Sequence, residues 1–204
     1  MVSPSEEEEK YFHQREFERR EQVRRDIHAA ALKVAESRRM AETLGQPGEA
    51  VLHRIQALGF DADTARIFDL IPLVHVAWAD GSVSAKERTA VFRVLEARGI
   101  PEQSEAWQLM AALLEKRPNE PFLEETLKLL SEIASTAGTK AHTIVDLCVA
   151  VAEAQSSLFG LGAKVNTDER KLIEHISSLL GQSASEATHQ KLTGSGETTA
   201  RPRF

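Results

Sequence analysis

The chain has 204 residues, enough for one domain of ordinary size plus unpacked sequence, and 42% hydrophobic with 27% charged residues reads as a globular mixture. A net charge of −6 excludes bulk nucleic-acid binding and leaves cations or basic partners as the natural ligands. A single cysteine, Cys148, excludes an intramolecular disulfide and a cysteine metal cage.

The N-terminus, "MVSPSEEEEK", is acidic where a targeting peptide would be basic, which predicts a cytoplasmic protein. Residues 1–48 form the first region. "SEEEEKYFHQREFERREQVRRD" places Ser5 and Glu8 at capping-box spacing, with glutamates first and arginines later, as a helix dipole favours. The spacing predicts one long solvated helix, broken by Gly45, Pro47 and Gly48. Tyr11, Phe12 and Phe17 are too few to pack a stripe by themselves.

Residues 49–182 carry the core. Ile67, Leu70, Ile71, Val74 and Ala77 recur at helical spacing, as do Ile144, Leu147, Cys148, Val151 and Ala154. Two helices are expected between these runs. One is opened by Pro101 and closed before Pro118; the other has Asn119 as cap, Pro121 in its first turn and Gly138 at its end. "LIPLVHVAWA", at 70–79, is about half the ~20 residues a membrane span requires. Residues 183–204, small, polar and patternless, predict a disordered tail. The expected fold is all-α, with six to eight helices.

The core reads as two copies of one unit: apolar helix, turn, capped helix. Val83, Ser84, Glu87 and Arg88 align with Val165, Asn166, Glu169 and Arg170 at a constant offset of 82. The helices before them align at 75 to 77, so the second copy holds about five to seven extra residues in "SSLFGLGAK".

The turn "AWADGSVSAKER", at 77–88, admits two readings. As a helix connection, Gly81 ends one helix in left-handed conformation, Ser84 and Glu87 form a capping box, and Val83 staples the next turn. Asp80 is left over, an acid at the negative end of a helix dipole, costing up to about 1 kcal/mol. As a cation site, Asp80, Gly81 and Glu87 match the fifth, sixth and twelfth places of a calcium loop. Val76 and Trp78, at the first and third places, offer no oxygen, so a complete EF-hand is excluded. Other elements would have to supply carboxylates, with Glu153, Asp168 and Glu169 of the second copy as the candidates.

"PLVHVAWADGSVSAKER" resembles the signature of TerB-like domains, the tellurite-resistance-associated helical fold also found at the N-terminus of the DjlA co-chaperones. "VAVAEAQSSLFGLGAKVNTDERKLIEHISSLLG" is similar to its weaker second half, so the resemblance spans about residues 50–182. It implies a pseudo-two-fold helical bundle with an acidic, cation-binding surface. It also implies a non-enzymatic role in stress response or in membrane-proximal complexes. By position it assigns Asp80 and Glu87 as metal ligands, Ca²⁺ being the preferred ion, with Glu169 matching the second motif's final glutamate. Gly162 and Ala163 replace the second Asp-Gly pair, and Glu153 is the candidate substitute.

No catalytic constellation is present: the seven histidines are scattered, and G-x-S-x-G, P-loop and H-E-x-x-H motifs are absent. His75, beside the apolar stripe, reads as a packing residue. "EEEEKYFHQREFERREQVRR" is similar to the inhibitory helix of mitochondrial ATP synthase inhibitor proteins. That implies an alternative function: a regulatory helix binding a protein partner such as an ATPase through Tyr11, Phe12 and Arg19, with the core as anchor or dimeriser.

Overall fold

The computed structural model describes residues 6–137, 141–156 and 167–180, with side chains over 9–135, 144–153 and 167–180. Among the described residues the chain is all-α, with no strand. In order come α1 (Glu6–Thr43), α2 (Glu49–Ala57), a 3-10 helix (Thr64–Leu70) and α3 (Ile71–Ala77). Then follow α4 (Ala85–Ala97), α5 (Glu105–Glu115), α6 (Glu120–Ala137), α7 (Ala141–Ser156) and α8 (Thr167–Leu179). Ser5, Gly138, Asn166 and the 183–204 tail, all given expectations above, lie outside the described residues.

Residues 1–39 and 40–204 separate as two compact units. In the first, α1 is held by its own side chains: Arg20 pairs with Glu16 at 3.0 Å and Arg24 with Glu21 at 2.8 Å. Such pairs contribute only about 0.2–0.5 kcal/mol each. The helix ends where Gly45 turns left-handed (φ 80°) and the Gln46 N–H returns to the Ala41 carbonyl at 2.7 Å, closing a Schellman turn.

The second unit is built around α3, in which all seven residues are buried. A helix apolar on every side belongs in a core, which is why this segment shows no polar face in sequence. The apolar series from Ile67 to Ala77 is fully buried as expected, but it is two elements rather than one. The Asp61 carboxylate accepts from the Thr64 N–H at 2.8 Å, the Thr64 hydroxyl at 2.7 Å and the Asp63 N–H at 3.0 Å, opening the tighter 3-10 turn. Phe60 packs edge-on against Phe68 at 5.0 Å, tying the 3-10 segment to the loop after α2.

The pseudo-two-fold relation is visible in the packing. α3, first helix of one copy, contacts both α7 and α8; α7, first helix of the other, contacts both α3 and α4. α5 starts later than Pro101 suggests. Residues 101–104 form a turn in which the Ser104 N–H donates to the Pro101 carbonyl at 3.0 Å, and Ser104 then caps the helix through the Trp107 N–H at 3.2 Å. Asn119 caps α6 as expected, accepting from the Phe122 N–H at 2.9 Å. No helix among the described residues is long and apolar enough to cross a membrane.

Candidate functional site

α3 terminates at Trp78 because the next residues turn away: the Gly81 N–H closes onto the Trp78 carbonyl at 3.0 Å with Gly81 at φ 92°. The Asp80 carboxylate meets this turn directly. Its Oδ1 accepts from the Ser82 N–H at 3.0 Å and the Ser82 hydroxyl at 3.4 Å, an Asx turn. The acid that the sequence leaves over at a helix C-terminus is therefore stabilised by the backbone of its own turn.

Ser84 then opens α4 with a reciprocal capping box. The Glu87 N–H donates to Ser84 Oγ at 3.2 Å, and the Ser84 N–H donates to Glu87 Oε2 at 2.7 Å. Val83 is partly buried against the core; with Arg88 at the facing position, it packs there and not in a hydrophobic staple. Glu87 is only 1% exposed. Burial pushes its carboxyl above the usual range; the Ser84 hydrogen bonds oppose this and the nearby negative charge of Asp80 reinforces it. Asp80 and Glu87 are thus two carboxylates on one turn, with burial the main influence on Glu87 and the charge of Asp80 the least.

Two residues flanking the turn have partners that sequence reasoning missed. Trp78 Nε1 donates to the Leu113 carbonyl at 2.9 Å, and the Arg88 guanidinium donates to the Leu114 carbonyl at 3.1 Å. Both groups satisfy terminal carbonyls of α5, where a cation is also favoured by the helix dipole. The sequence signals only the need: no glycine follows α5 before Pro118, so its last carbonyls require donors from elsewhere, without indicating which.

In the second copy, Glu169 at the start of α8 is again 1% exposed, matching Glu87 in burial as well as in sequence. Arg170, the counterpart of Arg88, has its Nε buried with no hydrogen-bond partner among the described residues. Glu153 lies half-buried on α7. Asp168 stands at the surface, 3.8 Å from Lys171.

The end of α3 and the start of α8 share a cleft of about 210 Å³, lined by His75, Trp78, Ala79, Arg117, Glu120, Leu123, Asp168 and Leu172. Asp80, Glu87, Glu153 and Glu169 are not among these lining residues. His75 is 5% exposed, and its Nε2 has no hydrogen-bond partner among the described residues. Burial lowers its pKa to about 4; the Leu123 backbone opposes this, and the charges of Arg117 and His175 add to it. The ring is a neutral core residue at pH 7, and its packing role stands. Among the described residues, no group of three or more His, Cys, Asp or Glu side chains could hold a metal ion.

On α1, Tyr11 and Phe12 are exposed and meet edge-to-face at 6.1 Å. The Arg15 guanidinium donates to the Tyr11 hydroxyl at 3.2 Å and lies 5.7 Å from the ring centroid. Arg19 is exposed on the same helix.

No curated protein and no solved structure matches the chain. A family model does: the tellurite resistance protein TerB family matches residues 70–192, beginning at the last residue before α3 and running through both motifs. That span is more than half of the chain, and it contains the Asp80–Glu87 turn and its Glu169 counterpart; the protein belongs to the TerB family.

Proposed function

We propose that the protein is a non-enzymatic binding module of the tellurite-resistance type, acting in the cytoplasm, that takes a divalent cation at the Asp80–Glu87 turn. The observation that supports this reading is that one turn carries two carboxylates, Asp80 and a Glu87 that is only 1% exposed, where burial above all disfavours the ionised form. A cation beside the pair would relieve both the repulsion and the burial penalty.

Ca²⁺ is the preferred ion, because both donors are carboxylates and the turn offers oxygen ligands alone. Two carboxylates fall well short of the six to eight oxygens calcium takes, so water would complete the shell and affinity would be weak, on the order of 10⁻⁴–10⁻³ M. Glu169 and Glu153 are proposed as further contributors through the second copy. Calorimetric titration of the metal-stripped protein with Ca²⁺, Mg²⁺, Mn²⁺ and Zn²⁺ tests the reading. Heat and thermal stabilisation with Ca²⁺, both lost in Asp80→Asn, are expected; neither signal at millimolar metal sinks it.

The second reading, a partner-binding N-terminal helix, is favoured by the exposed Tyr11–Phe12 pair. Aromatic side chains presented together on one helix are the kind that anchor in a partner's groove. If it is right, Phe12→Ala in the full chain abolishes capture of that partner, while Asp80→Asn leaves it intact.

A further inference from the structure

α1 runs for 38 residues, and in its middle Val23, Ile27, Ala30 and Val34 recur at steps of four, three and four. That spacing is the core-facing seam of a two-stranded coiled coil. The three large side chains are 49%, 65% and 69% exposed. Helices of this kind owe most of their stability in water to packing of an apolar face, and this face has none within the 1–39 unit.

The flanking residues select the occupant. In a parallel pair of two such helices, Arg19 would stand against the partner's Arg24, and Lys33 against the partner's Arg38, with both contacts occurring twice. Reversing one helix removes these repulsions. With Val23 opposite the partner's Val34, and Ile27 opposite the partner's Ala30, Asp26 meets the partner's Lys33 and Arg24 meets the partner's Ala31. Arg20 and Ser37 close each end of the seam. Lys33 has no ion-pair partner among the described residues of its own chain, and Asp26 accepts only a neutral hydrogen bond from Gln22 at 2.9 Å. Both charges are available for a symmetric cross-pair.

We infer that residues 20–37 are a dimerisation element that pairs with a second copy of this chain, antiparallel, around Ile27 and Ala30. Such a contact is isologous: each copy presents the same patch, and the symmetry axis lies between Ile27 and Ala30. The inference does not depend on cation binding, and it leaves Tyr11 and Phe12 outside the paired segment.

Sedimentation velocity of the full chain tests it. The wild type is expected to dimerise in a concentration-dependent way, and Ile27→Glu to remain monomeric with unchanged thermal unfolding of the core. Asp26→Lys and Lys33→Asp should each weaken the dimer at least tenfold, and the double variant should restore it, since only antiparallel pairing brings these two positions together. Under mild oxidation, a mixture of Val23→Cys and Val34→Cys chains should crosslink to each other. A wild type monomeric at every concentration overturns the inference, and so does Val23→Cys crosslinking to itself instead. Failure of the charge swap to restore the dimer has the same force.

Discussion

Ser84 and Glu87 hold each other: the backbone N–H of each donates to the side chain of the other, at 2.7 Å and 3.2 Å. The pair starts α4 and at the same time carries a carboxylate into a nearly water-free position. Ser84→Ala should cost about 1 kcal/mol, the usual loss for a helix cap, measured by urea denaturation. Glu87→Gln keeps an oxygen for the Ser84 N–H without burying a charge. Because the Glu87 carboxyl is raised in the folded state, its protonated form favours folding, and that contribution is lost as pH rises through its folded value. The glutamine variant should therefore gain on the wild type as pH rises through that window, and it should also lose any stabilisation by calcium. A variant that loses ground instead would show that the ionised carboxylate is needed.

His75 gives the opposite slope. Its imidazole ordinarily titrates at 6.5 and in the fold at about 4, so the unfolded chain binds more protons between those values. Stability is complete above pH 6.5 and falls as pH drops toward 4, by about 3 kcal/mol at most. His75→Gln should flatten this limb of the stability profile. An unchanged profile would assign the acid sensitivity to other groups.

Gly81 sits at φ 92° with nothing within 4 Å of where a Cβ would stand. Gly81→Ala therefore meets no steric neighbour and pays only for backbone conformation, about 1–2 kcal/mol. Thermal unfolding of the variant measures this directly. A larger loss would indicate that the turn itself shifts and drags Asp80 from Ser82.

Trp78 and Arg88 satisfy adjacent carbonyls of α5 from either side of the turn. Trp78→Phe keeps an aromatic ring but removes the indole N–H and some packing, so the loss should be at least that of the hydrogen bond, about 0.5–1.5 kcal/mol. Arg88→Met should cost a comparable amount. In the double variant the losses should exceed their sum, because the two donors hold neighbouring carbonyls of one helix end and without both the last turn of α5 is free to fray. Simple additivity would mean water reaches that helix end freely.

Most of the helical architecture was legible from apolar spacing and caps, because burial periodicity and capping chemistry are local. Ser84 with Glu87, Gly81, Asn119, the buried series from Ile67 to Ala77, and Ile144, Cys148 and Val151 stand where those rules put them. The division of the 67–77 run into a 3-10 and an α segment was not legible, since both place the same residues inside. Asp61, whose side chain sets that division, has no sequence pattern that separates it from a surface acid. The same limit applied to Asp80: an Asx turn needs only Ser82 two residues on, a pattern too common to stand out. Trp78 and Arg88 reach partners thirty-five and twenty-six residues away, and spacing within one helix carries no such information.

The mutual grip of α3 and α7 has a kinetic consequence. α3 begins at Ile71 and its main partner at Ala141, seventy residues later, so neither copy completes its packing until nearly the whole core has been brought together. Closing so long a loop carries an entropic cost before the contacts repay it. This chain should fold slowly for an all-helical domain, and during synthesis its first copy must wait, apolar helix exposed, for the second to emerge.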